Sequence, residues 1–154
     1  MAFTKRLIGL VGAATCLTAC SSGKAPFRQV QFCLKDAQEI PEFKMFMNQI
    51  AQENRMEFGD RSGQTQDELQ NLASHEKSVP TNDQIVNVSG YRGDFSFGAG
   101  NMGLPTQQIS IGFGGDDAVS AKKFADMVIQ KLATKWRIHE VPHGQGALPL
   151  SKCD

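Results

Sequence analysis

The stretch Gln107-Gln-Ile-Ser-Ile-Gly-Phe113, continued by Gly114-Gly-Asp-Asp117 and then Ala118-Val-Ser-Ala-Lys-Lys-Phe-Ala-Asp-Met-Val-Ile-Gln-Lys-Leu-Ala-Thr-Lys-Trp136, changes its hydrophobic period midway. Ile109, Ile111 and Phe113 alternate with polar or small residues, as in a strand buried on one side. Ala121, Phe124, Ala125, Val128, Ile129, Leu132 and Trp136 recur instead at helical spacing and make one wide apolar stripe. Asp116 or Asp117 caps this helix, and Lys131, Lys135 and Arg137 near its end suit the helix dipole. A strand and a helix with one apolar side each must bury those sides against another layer, so the fold combines a sheet with helices.

The same reading extends outward. Gln84 to Phe97 carries Ile85, Val86 and Val88 and then Tyr91, Phe95 and Phe97, so this segment and Gln107–Phe113 are expected to be the two arms of a hairpin. Gly98, Gly100, Gly103 and Pro105 lie between them and can make the reversal. Phe27 to Leu34 reads as a first strand, with Val30, Phe32 and Leu34 on one side and Gln29, Gln31 and Cys33 on the other. From Ala37 to Asn54, with Pro41 in the first turn, Phe43, Phe46, Met47, Ile50 and Ala51 mark a helix. Met56–Arg61 reads as a short strand, and Thr65-Gln-Asp-Glu68 has capping-box spacing ahead of Leu69 and Leu72. Ser74–Asp83 is a polar loop, Arg137–Val141 a last strand and Pro142–Leu150 a tail.

This order predicts an α+β, two-layer sandwich: a mostly antiparallel sheet with helices on one face. It resembles a ferredoxin-like split β-α-β arrangement with an insertion around residues 55–83.

At 154 residues the chain has the length of one domain. Hydrophobic residues make up 40% and charged residues 21%, which excludes disordered, collagen-like and polytopic membrane proteins. The 16 basic and 16 acidic residues cancel. Lys122, Lys123, Lys131 and Lys135 share one helix with Asp126 and make a solvated face, not the basic stripe that nucleic-acid binding needs.

Near the amino terminus, Lys5 and Arg6 precede an apolar run from Leu7 to Leu17, too short to span a bilayer, which reads as a secretion signal. It ends in Leu17-Thr18-Ala19-Cys20, which resembles the lipobox of bacterial lipoproteins. The resemblance implies a signal peptide over 1–19, cleavage before Cys20, a diacylglyceryl group on its sulfur and a further acyl chain such as palmitate on the new amino terminus. Two or more chains hold a protein stably on a membrane. Residues 20–26 would form the tether, some 20 Å long at about 3.3 Å per residue, and 27–154 the domain. Ser21, where enteric-type sorting uses Asp for inner-membrane retention, points to the outer membrane facing the periplasm. With Cys16 removed and Cys20 lipidated in an oxidising compartment, Cys33 and Cys153 are expected to form a disulfide.

Two motifs resemble chemistry. His139-Glu140-Val141-Pro142-His143 satisfies HExxH, in which two histidines hold zinc and the glutamate acts as general base. That use needs a helix, and Pro142 breaks one from within, so His139 and His143 are only weak metal candidates beside a strand end. Gly98-Ala-Gly100-Asn-Met-Gly103 satisfies the dinucleotide pattern, but Leu104-Pro105 follows in place of the helix that would receive a pyrophosphate. No cofactor is expected. The remaining surface candidates are Tyr91, Phe95 and Phe97, with Asn101 and Met102 in the adjoining glycine loop, as a protein contact; the alternative for the aromatic residues is core packing.

The expectation is a binding protein and not an enzyme: membrane-held through lipid on Cys20, and engaging another protein, as an inhibitor or immunity lipoprotein against an envelope-targeted enzyme. Two further readings are an accessory subunit of an envelope assembly or secretion machine, and a zinc hydrolase using His139, Glu140 and His143.

Overall fold

A computed structural model describes residues 26–73, 79–102, 104–150 and 153; the signal segment, the lipobox with Cys20, and Gly103 lie outside the described residues. Strand β1 (Arg28–Cys33) leads through a short 3-10 turn into helix α1 (Ile40–Glu53), then β2 (Glu57–Asp60) and α2 (Ser62–Leu72). Strands β3 (Asn87–Arg92), β4 (Phe95–Gly100) and β5 (Gln108–Gly114) follow, then α3 (Ala118–Ala133) and β6 (His139–Val141). The six strands form one sheet in the order β2-β3-β4-β5-β1-β6, with every neighbouring pair antiparallel. The molecule is an α+β two-layer sandwich.

Its connectivity contains the expected split crossover: α3 carries the chain from β5 to β6, with β1 between them. Without β2, α2 and β3, the order β1-α1-β4-β5-α3-β6 would be the ferredoxin-like arrangement, with strands in the sequence β4-β5-β1-β6. The insertion expected around 55–83 therefore extends through Arg92, and it widens the sheet by two strands on one side.

Helices α1 and α3 form because one side of each is apolar. Asp117 caps α3, its carboxylate accepting from the amides of Val119 and Ser120 and from the Ser120 hydroxyl. Pro41 occupies the first turn of α1, where its missing amide hydrogen costs nothing. Val30 and Phe32 of β1, Ile109, Ile111 and Phe113 of β5, and Phe95, Phe97 and Ala99 of β4 face Phe43, Met47 and Ile50 of α1 and Phe124, Val128 and Leu132 of α3 in one core. Phe124 stacks on Phe95, and Trp136 stacks on Phe32 with Phe43 and Phe46 edge-on to it. Across the outside, Lys131 pairs with Glu53 and Lys135 with Glu42, tying α3 to α1.

The stretch read as a single arm, Gln84–Phe97, is two strands. A two-residue turn at Gly93-Asp94 sets Arg92 opposite Phe95 and Tyr91 opposite Ser96, and Gly93 takes the positive φ that such turns need. The consequence is a change of face. In a continuous strand Tyr91 would share a side with Phe95 and Phe97, whereas across this turn it shares one with Ser96. Gly98 and Gly100 are likewise not a loop: both are β4 residues, and the reversal runs through 101–107.

Candidate functional site

The alternation that sends Val88, Ala99, Ile111 and Val30 into the core sends their neighbours to the opposite face of the sheet. One row across that open face reads Ser89, Gly98, Gly112 and Gln29; the next contains Gly100 and Ser110. Because the central positions carry no side chain, the face sinks into a groove of about 620 Å³. Gly98 is its bare floor, for a Cβ built there meets no atom within 4 Å. Pro26 closes one side by lying over Gly112, where an added Cβ would stand 3.1 Å from the proline ring. Gln29 donates to the Ser110 hydroxyl at 2.8 Å, and Met102, Leu104 and Ala147 complete the wall. A smaller groove of about 440 Å³ runs between Pro26–Gln29 and Glu140–Gly146.

The structure divides the expected contact residues. Tyr91 and Met102 are 56% and 49% exposed and can meet a partner. Phe95 and Phe97 cannot serve as outer contacts, because both are buried against Phe124. Asn101 is also withdrawn from the surface. Its carbonyl oxygen accepts from the Val86 amide at 2.9 Å, while its amide donates to the carbonyls of Gln84 and Thr106 at 2.8 Å each. It therefore acts as the clip that closes the β4–β5 connection onto the start of β3, satisfying main-chain groups that no strand pairs.

The zinc-like motif is pulled apart by its own secondary structure. His139 lies opposite Gln31 and Glu140 opposite Val30, so the two side chains leave β6 on opposite faces, and His143 follows in the turn after Pro142. Among the described residues, no three His, Cys, Asp or Glu side chains converge as a metal-ligand set. Glu140 instead receives the Arg28 guanidinium at 2.6 Å, and Arg28 also bonds Asp126 of α3. Glu140, more than Asp126, holds the Arg28 pKa above its ordinary value against the opposing effect of burial. Lys122 in turn holds the Asp126 carboxyl low, with Arg28 contributing. This chain of charges joins β1, β6 and α3 on the helix side of the sheet, away from the larger, glycine-floored groove.

Cys33 and Cys153 are bonded, with Cα atoms 5.1 Å apart and a separation of 120 positions in sequence. The approach to Cys153 crosses the open face. There Gln108, fully buried, donates from its amide to the Leu148 carbonyl at 2.8 Å and accepts from the Leu150 amide at 2.8 Å. Gln108 was not singled out by sequence reasoning. Its only signal was a long amide on the outward side of a strand, next to the tail's cysteine partner on β1. Gln29, Ser89 and Ser110 were equally silent, being ordinary outward polar residues until the glycines between them are aligned.

Comparison with protein-family models, with curated proteins and with solved structures finds no match to this chain.

Proposed function

We propose that this protein is a lipid-anchored, periplasm-facing binding protein whose open sheet face engages another protein at the membrane surface. The observation that carries the reading is the groove floored by Gly98, with Met102 on its wall and Tyr91 exposed on the same face of the sheet, on the side that α1 and α3 leave uncovered. A glycine floor lets a partner's main chain or side chains approach the strands closely. The bonded Cys33–Cys153 pair suits an oxidising compartment, as a lipobox at Leu17–Cys20 requires. The special case we favour is an inhibitor or immunity protein that blocks an envelope-targeted enzyme; a subunit of an envelope assembly machine is the second.

Two measurements test it. Cells fed a radiolabelled fatty acid should label the wild-type chain and not Cys20→Ser. A photoreactive residue at Ser89 in the native lipidated protein should cross-link one secreted or toxin-like enzyme if it is an inhibitor, or a fixed set of membrane-complex subunits if it is an accessory part. Gly98→Trp should abolish either product with the melting temperature unchanged, since its side chain enters open space. A cross-link pattern indifferent to Gly98→Trp would remove the groove from the proposal, and an unlabelled wild-type chain would remove the anchor.

A further inference from the structure

The tail from Pro142 to Leu150 contains no helix or strand, yet it lies across the open face of the sheet, with Ala147 in the wall of the groove. Among the described residues its hydrogen bonds are few: a turn from the Gln145 amide to the Pro142 carbonyl, and the two bonds that Gln108 makes with Leu148 and Leu150. Both of the latter depend on a single side chain. The covalent hold is the Cys33–Cys153 bond beyond them.

What the tail covers is also informative. Gln108 and Gln31, which touch at 3.4 Å, leave the sheet on the side away from the helices and are 0% and 8% exposed. They are polar groups that water can satisfy equally well once uncovered. Leu148, by contrast, is 65% exposed and anchors nothing in the core. A segment whose departure strips apolar surface would be locked by the hydrophobic effect; this one covers a pair of glutamines.

We propose that residues 142–150 form a releasable strap over one end of the open face, latched by the Cys33–Cys153 bond and released by a dithiol reductant of the thiol–disulfide exchange type. The step balances as ordinary exchange. A reductant thiolate attacks one cysteine sulfur, the other cysteine leaves as a thiolate and takes up a proton, and the reductant's second thiol resolves the mixed disulfide. Two electrons pass to the protein, which gains two thiols, and the reductant ends as a disulfide. Gln108 and Gln31 then face solvent at the end of the groove next to Ala147, with the side-chain amide that gripped an extended main chain free to bond another. The release itself does not depend on which partner the groove binds.

The test is nuclear magnetic resonance of the ¹⁵N-labelled domain carrying Cys33 and Cys153, before and after reduction by dithiothreitol. The expected result is that amides of residues 143–150 move to random-coil shifts and lose their ¹H–¹⁵N nuclear Overhauser effect, while those of β3, β4 and α3 keep their positions. Cys153→Ser without reductant should give the same spectrum. Chymotrypsin should cut after Leu150 at least tenfold faster in the reduced protein. A tail that stays ordered after reduction overturns the proposal, because the bond is then no latch. Collapse of the whole spectrum overturns it equally, because the bond then holds the domain and not the strap.

Discussion

Gly90 of β3 lies directly opposite Phe97 of β4, and a methyl built on its α-carbon would stand 2.3 Å from the phenyl ring. The ring has nowhere to go, being 3% exposed and stacked with Phe124. Gly90→Ala should therefore destabilise the domain by about 1–3 kcal/mol, the usual cost of overpacking a core. Urea unfolding followed by circular dichroism would show the midpoint falling with an unchanged slope. A midpoint equal to wild type would mean that the sheet relaxes around the methyl.

Cys33→Ser opens a loop of 120 residues. In the chain-entropy model such a loop stabilises by about 4–5 kcal/mol through the unfolded state. The oxidised wild type should melt well above the variant, and the two should coincide once the wild type is reduced. This global effect on unfolding is separate from the local freeing of the tail, and calorimetry of both redox forms measures it alone.

Asn101→Ala leaves the Val86 amide and the carbonyls of Gln84 and Thr106 without the partner they share. Loss of a buried polar clip of this kind costs about 2–3 kcal/mol. Asn101→Asp should be no better, since a carboxylate accepts from Val86 but cannot donate to either carbonyl. Thermal melts of the two variants side by side test the assignment; a fully stable Asn101→Asp would contradict it.

Acid should weaken the fold. Burial pushes the Asp60 carboxyl up, but bonds from Ser62 and the Lys44 ammonium outweigh it and hold the group below the ordinary range. Lys131 and then Gln49 lower Glu53, and the Ser120 hydroxyl with the Val119 and Ser120 amides lowers Asp117. Groups that bind protons less readily folded than unfolded contribute stability that is complete above their unfolded values, and lose it as the pH falls through the lowered folded ones. Melting temperature should hold steady down to about pH 5 and then decline below about pH 4. Asp60→Asn should make that decline shallower, which a pH series of melts would reveal.

The long periodic segments were legible in the sequence. The stripe from Ala121 to Trp136 became α3 with Asp117 as its cap, and the alternation of Val30, Phe32 and Leu34 placed β1 against the core. The two-residue turn was the failure, and its effect spread further than its size. Gly93-Asp94 interrupts a run whose hydrophobic spacing stays even on both sides, so spacing alone places Tyr91 with Phe95 and Phe97, whereas pairing with Ser96 turns it to the other face. The same slip hid the groove: with Gly98 and Gly100 assigned to a loop, no floor could be drawn between Ser89 and Gln29. Such a site consists of missing side chains on β4 and β5 framed by residues of β3 and β1, and single-chain periodicity carries no record of which strands are neighbours.

The chain's single tryptophan, Trp136, sits where α3 ends, stacked on Phe32 and flanked by Phe43 and Phe46. It therefore reports on the joint between the helical layer and the first strand, while the carboxy-terminal tail crosses the sheet's other side. Its fluorescence should follow loss of the core and stay blind to detachment of the tail, giving the domain a built-in optical probe that reads one event and ignores the other.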